Sequence, residues 1–223
     1  MTEREPLRPL TTSQQHHLNQ AVERYQAALT PQALSYLTEQ RGLTEETIRT
    51  ARLGVVATPD PLHARFTGWL AIPYLDRHGQ PLTIRFRCLD DRKHSCKKLD
   101  HGKYMSLPED PTRLYGIGAI HTAGDEIHLT EGEIDRLTLT QIGLPAIGGP
   151  GADSWTSHHR RMLAGFSRIW VWADPDPAGA RFLRTVTKFL HNAVPVPLRH
   201  DVNATYVAAG ADALLALIAP EIT

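Results

Sequence analysis

Apolar residues recur along this chain with two different periods, and the switch between them divides it. Leu18, Ala21, Val22, Tyr25 and Leu29 return every three or four positions, which predicts an amphipathic helix from Thr11 to about Thr30-Pro31. Pro31 suits the first position of a second helix, with Leu34 and Leu37 inward and Gly42 as its stop. Thr44 is placed to cap a third, short helix reaching about Arg52, with Gly54 ending it. The period then changes to two. Residues 69–75 and 81–89 read as strands joined by Asp76-Arg77-His78-Gly79, a strong hairpin signal. Alternation sends Ile84, Phe86 and Cys88 to one side of the second strand, and Arg85 and Arg87 to a solvent or ligand face. Residues 94–105 read as a basic loop.

Beyond about residue 125 the pattern is strand and helix in turn. Strands are expected at 126–130, 145–147, 169–173 and 194–198, and helices at 132–142, 154–164, from Pro177 onward and at 211–218. That alternation implies a parallel sheet covered on both faces. The run Ile169-Trp170-Val171-Trp172 has no polar gap, as suits a strand buried on both sides. The chain is therefore expected to divide into a helical lead-in (1–30), an α+β segment (31–124) and an α/β segment (125–223).

Composition narrows the class without naming a function. The 223 residues include 41% hydrophobic and 22% charged positions, ordinary for a globular protein. No apolar run approaches the roughly 18 residues that span a bilayer, and the first ten residues lack the core of a secretion signal. No membrane association is expected. With two cysteines, Cys88 and Cys96, a reducing cytoplasm is the default compartment. Lys+Arg and Asp+Glu both total 24, so global charge is silent about nucleic acid. Between Arg85 and Lys103, however, Arg85, Arg87, Arg92, Lys93, Lys97, Lys98 and Lys103 outnumber Asp90, Asp91 and Asp100. Such a patch can hold phosphates, although a solvated loop has the same composition.

Chemistry concentrates at two strand ends. Asp174-Pro175-Asp176 follows the 169–173 strand and precedes a helix. Glu131-Gly132 holds the same topological place after the 126–130 strand. If those strands are neighbours, Glu131, Asp174 and Asp176 converge where open α/β sheets bind ligands. Three clustered carboxylates raise one another's pKa unless cations neutralise them, and hard divalent ions with oxygen ligands suit them best.

These residues carry a family resemblance. Glu131-Gly132 after an apolar strand, with Asp174-x-Asp176-x-Ala178-Gly179 later, resembles the Toprim domain shared by topoisomerases, bacterial-type primases and certain nucleases. Glu131-Gly132-Glu133-Ile134-Asp135 is similar to the "EG-x-x-D" segment of DnaG-type and phage primases, with Asp135 as a further acid. His200-Asp201-Val202-Asn203 resembles their "D-P-D/N-E" segment, with Ala204 in place of its glutamate. The resemblance extends to Tyr36-Leu37-x-x-Gln40-Arg41-Gly42-Leu43, to the stretch from Ile72-Pro73 to Arg87, to Gly102-Lys103-Tyr104-Met105-Ser106 and to Leu114-Tyr115-Gly116. In all it covers about residues 34–218.

It implies an α/β fold: a C-terminal Toprim domain, with a parallel sheet flanked by helices, preceded by an α+β primase-core subdomain. It implies RNA primer synthesis on single-stranded DNA from ribonucleoside triphosphates. Glu131, Asp174 and Asp176 would be catalytic, and with Asp135 and Asp201 would hold Mg²⁺ or Mn²⁺, two or more ions. Arg87, Lys103, Tyr104, Arg85, Arg41 and Asn203 would hold nucleotide or template. A phage or mobile-element origin, and hence host cytoplasm, is expected. So is partnership with a separate zinc-binding template-recognition module, a replicative helicase, or both. Competing readings are a Toprim nuclease using the same acids and a non-catalytic Toprim scaffold within a replisome. Asp201 also reads as a helix cap, and Asp135 as helix-surface charge. An internal zinc site from Cys88, His94, Cys96 and His101 would match no standard spacing, so zinc is not expected.

Overall fold

The structure, a computed structural model, describes residues 9–89, 96, 101–151 and 154–219. The chain forms two compact units that interleave in sequence. One takes the residues up to Ala33 together with Ala51–Pro111, and the other takes Leu34–Thr50 together with Thr112 onward. The three consecutive segments expected from the sequence differ from this. Residues 34–50 pack with the C-terminal half, and the second break falls after Pro111 rather than at 124. The physical reason is visible at Thr44 and Gly42. The Thr44 N–H donates to Gln141 Oε1 (2.7 Å), and the Gln141 amide donates to the Gly42 carbonyl (2.9 Å).

In the first unit, α1 (Thr12–Ala27) lies on an antiparallel sheet of β1 (Gly54–Val55), β2 (Leu70–Leu75), β3 (Pro81–Arg87) and β4 (Tyr104–Met105), in that order. Thr11 caps α1 through a reciprocal pair with Gln14, which satisfies two of the helix's orphan N–H groups. Ala21, Val22 and Tyr25, at helical spacing, pack on Phe66, Ala71, Ile84 and Phe86 from the sheet side. The Phe66 and Phe86 rings stack at 4.0 Å. Strand β4 falls in the stretch read as loop. Two residues carry no periodicity, and only pairing with β3 (Phe86 with Met105, Arg87 with Tyr104) makes them a strand.

Where the chain passes from the first unit to the second, α2 (Pro31–Ser35) runs into one turn of π-helix, Tyr36–Gln40, and α3 (Glu45–Thr50) follows in the second unit. The single helix expected from Pro31 to Gly42 is thus a short α-helix followed by a wider turn. The short α4 (Ala119–Thr122) leads to a parallel sheet with strand order β6-β5-β7-β8: β5 (Glu126–Thr130), β6 (Ala146–Gly148), β7 (Arg168–Trp172) and β8 (Ala193–Pro195). The alternation of β5 and β7 separates two layers. Ile127, Leu129, Ile169 and Val171 face Leu163 of α6 (Ser157–Leu163) and Phe182 and Val186 of α7 (Pro177–Phe189). Trp172 takes the other face with Leu139 of α5 (Glu133–Gln141) and with Val202 and Leu214 of α8 (Val202–Leu215). Helix α8 begins nine residues before the expected 211, and it breaks at Gly210 (φ 78°), a left-handed conformation that glycine tolerates. Among the described residues no helix is long and apolar enough to cross a membrane.

Candidate active site

Strands β5 and β7 are parallel neighbours, with Thr130 registered against Trp172. Their carboxyl ends therefore deliver Glu131 and Ala173-Asp174 to one edge of the sheet, the convergence anticipated from the sequence. The Asp174 N–H donates to Glu131 Oε1 (2.9 Å), so the acid of one strand end holds the backbone of the next. Asp176 caps α7, its Oδ1 accepting from the Gly179 N–H (2.8 Å). Pro177 follows at the first helical position, where its missing N–H costs nothing.

Gly179 is required by close approach. A Cβ there would lie 2.0 Å from the Asp174 carbonyl oxygen and 2.6 Å from Glu131 Oε1. The glycine lets the first turn of α7 sit against both acids. Gly132 is different: its backbone is ordinary extended (φ −109°), so the turn there needs no special torsion. A Cβ would instead meet Asp135 Oδ2 at 2.9 Å.

The acids are electrostatically one group. Burial, reinforced by the charges of Asp174 and Asp176, pushes Glu131 up to about 7, although the Asp174 N–H and Arg181 oppose the shift. Burial pushes Asp135 up to about 7, with Asp174 and Asp201 adding to it and the Asn203 N–H and Arg41 opposing. Asp174 rises to about 6 from burial and from Asp201 and Asp176. Asp201 spends one oxygen capping α8 through the Ala204 N–H (2.6 Å). The cap reading of Asp201 therefore holds, alongside its place among the acids.

This donor set fits a hard divalent ion in one particular way. Among the described residues no three of these acids bring ligand atoms within 4.8 Å of one another. That spacing does not make an all-protein cage. It suits an ion that keeps several waters and takes one or two carboxylates plus substrate phosphates, the habit of Mg²⁺.

Two residues expected at the nucleotide, Asn203 and Arg41, are hydrogen-bonded to each other within the second unit. Asn203 is 2% exposed. Its amide donates to the Arg41 carbonyl (2.7 Å) and Thr138 Oγ1 (2.9 Å), its Oδ1 accepts from Arg41 (3.3 Å), and its backbone N–H donates to Asp135 Oδ1 (2.9 Å). With its hydrogen-bonding capacity used internally, Asn203 positions Asp135 rather than facing a ligand. Arg41 also donates to the Tyr36 hydroxyl (2.8 Å) and lies over that ring. It offers Asp135 a nearby positive charge. Arg181 is a further contributor, because its charge acts on Glu131. His159 is buried and closes the cap of α6 with Thr156.

In the other unit, Tyr104 lies between two arginines. The Arg87 guanidinium is 4.9 Å from its ring centroid and that of Arg85 is 5.3 Å away. Arg87 also donates to the Tyr104 hydroxyl. Arg87 is 2% exposed, so the outward face expected for it is covered, while Lys103 is exposed. Arg92, Lys93, Lys97 and Lys98 of the basic run, and His94, lie outside the described residues.

No family model matches the chain. Among solved structures, it superposes on a DNA primase domain from Pseudomonas aeruginosa with a TM-score of 0.71 and 26% identity, covering 91% of this chain and 77% of that one. It also superposes on a DnaG primase catalytic domain bound to single-stranded DNA (TM-score 0.67, 20% identity, 91% of this chain, 77% of that one). The fold is that of the DnaG primase catalytic cores, a parallel sheet flanked by helices beside an antiparallel sheet. The chain belongs to the family of the Gene 57 protein of Mycobacterium phage D29, to which it is 38% identical over 156 residues, 67% of this chain and 97% of that protein.

Proposed function

We propose that this chain synthesises RNA primers on single-stranded DNA, joining ribonucleotides by divalent-metal-dependent nucleotidyl transfer. The observation that carries this reading is the junction of Glu131 and Asp174 at neighbouring strand ends in a primase-core fold. Glu131, Asp174 and Asp176, with Asp135 and Asp201 beside them, would hold Mg²⁺ or Mn²⁺, which would neutralise phosphate charge during in-line attack of a 3′-hydroxyl on an α-phosphate. The chain's own residues supply positioning. The Asp174 N–H orients Glu131, Asp176 anchors the start of α7, and Asn203 orients Asp135. Arg85, Lys103 and Tyr104 supply charge and an aromatic face suited to a single strand, with the buried Arg87 holding the Tyr104 ring and hydroxyl. The similar DnaG domain bound to single-stranded DNA supports that choice of template. The setting would be a phage-infected host's cytoplasm, with a zinc-binding module or replicative helicase as partner.

The test supplies ribonucleotides, Mg²⁺ or Mn²⁺ and single-stranded templates. RNA oligomers that disappear in Asp174→Ala and Glu131→Gln support the reading. Metal-dependent cleavage of DNA or RNA without synthesis would transfer it to a nuclease, and indifference of all activity to both substitutions would leave a scaffold.

A further inference from the structure

A second group of metal-ligating side chains lies far in kind from the acidic edge. Ligand atoms of Cys88, Cys96 and His101 all lie within 4.8 Å of one another. Neither cysteine is in a disulfide. In a tetrahedral zinc site with Zn–S near 2.3 Å, neighbouring ligand atoms stand about 3.7 Å apart. The separations of the three ligand atoms are therefore within about 1 Å of that spacing or below it. We propose that Cys88, Cys96 and His101 bind one soft divalent cation, Zn²⁺, which clamps the long connection between β3 and β4.

The surrounding backbone is organised for this. The Cys88 N–H donates to the Lys103 carbonyl (2.9 Å), and the His101 N–H donates to the Cys96 carbonyl (3.1 Å), so both ends of the connection are brought together at the ligands. His101 Nδ1 is 3.1 Å from the Gly102 carbonyl oxygen. A carbonyl only accepts, so that contact requires a proton on Nδ1 and leaves the Nε2 lone pair for a metal. Backbone carbonyls commonly set the tautomer of ligating histidines in this way. Trp69 packs against the His101 ring at 5.0 Å, limiting its rotation. Two thiolates and an imidazole select zinc over the hard ions that suit carboxylates. On binding, Cys88 and Cys96 each give up a thiol proton to solvent, and the fourth position goes to another donor.

The sequence argued against zinc because Cys-x7-Cys-x4-His matches no familiar spacing. The fold overrides spacing by pairing β3 with β4, which returns His101 to Cys88. The consequence is local. Cys88 directly follows Arg87, and Lys103 and Tyr104 directly follow the His101-Gly102 pair. A metal held by these three residues ties Cys88 to His101 next to Arg87, Lys103 and Tyr104.

Titration of reduced, metal-free protein with Co²⁺ in excess Mg²⁺ tests the proposal. One equivalent should produce thiolate-to-cobalt charge transfer and the visible bands of a tetrahedral ion, release two protons, and be displaced by Zn²⁺. Cys96→Ser and His101→Ala, at partly exposed positions, should each weaken Zn²⁺ binding by more than about a hundredfold, beyond what altering an outer-shell partner costs. If the buried Cys88→Ser variant fails to fold, those two still decide the matter. A cobalt spectrum without charge transfer, or undiminished binding in Cys96→Ser, overturns the site. None of these readouts depends on primer synthesis, so their failure would leave the functional reading intact.

Discussion

The backbone N–H of Asp174 donates to Oε1 of Glu131 at 2.9 Å, so two acids at adjacent strand ends are held together by the polypeptide itself. The contact places charge beside charge. Folding buries these acids near one another, and burial with mutual charge raises Glu131 to about 7 and Asp174 to about 6.

Burial of Asp174, with the charges of Asp201 and Asp176, should be measurable as stability. Asp174 has an ordinary value of 3.8 and rises to about 6 in the folded protein. Folded protein therefore keeps this proton where the unfolded chain has lost it. The stability linked to it is fully present below pH 3.8 and lost as pH rises through about 6. Without divalent metal, Asp174→Asn should melt with wild type near pH 4 and above it at pH 8, by on the order of 1 kcal/mol. Mg²⁺ or Mn²⁺ should stabilise wild type at pH 8 and do little for the variant. Thermal melts across pH, with and without metal, check both halves.

His128 should act in the opposite direction. It is buried, its Nδ1 accepts from Trp172 Nε1 (2.9 Å), and burial lowers it to about 4 from 6.5. The unfolded chain then takes up a proton that the folded one refuses. This contribution is present above pH 6.5 and lost as pH falls through about 4. Replacing His128 with Asn should flatten the acid limb of the stability profile between pH 6.5 and 4, read by denaturant unfolding at each pH.

Gly179→Ala should be disproportionately harmful. Its Cβ would collide with the Asp174 carbonyl oxygen, which is backbone and cannot swing away. A loss of about 2–3 kcal/mol is expected, together with most metal-dependent activity. Gly124→Ala, whose Cβ meets nothing within 4 Å, is the control and should change neither. Chemical denaturation and primer synthesis on both variants decide it.

Asn203→Ala separates positioning from ligand contact. It strips partners from the Arg41 carbonyl and the Thr138 hydroxyl inside the protein. A cost of about 1–3 kcal/mol follows, with template affinity unchanged at temperatures where the variant remains folded. A selective drop in single-stranded DNA binding by well-folded Asn203→Ala protein would restore it to the ligand side.

Lys103 should behave as a phosphate contact. Lys103→Ala should weaken single-stranded DNA binding evenly across sequences and reduce the salt slope by about 0.7. Arg87→Lys should cost more than its unchanged charge implies, because the guanidinium spans the Tyr104 ring and hydroxyl in a way an ammonium cannot. Binding measured over a salt series distinguishes the two behaviours.

The chain's own pattern was enough to locate the strand ends and the acids on them. Strand-to-helix turns are local, and an uninterrupted apolar run such as Ile169-Trp170-Val171-Trp172 has few places to go except a covered parallel sheet. Glu131, Asp174 and Asp176 followed from adjacency alone. Tertiary structure decided what depends on residues distant in sequence. Arg41 and Asn203, 162 positions apart, bind each other and so leave Asn203 no capacity for a ligand. Residues 34–50 join the C-terminal half, β4 exists only through β3, and His101 reaches Cys88 through that same pairing. Periodicity encodes which face of an element is buried. It carries no information about which distant polar group meets it there, because a hydrogen bond depends on the final positions of two donors and acceptors rather than on the repeat of either one.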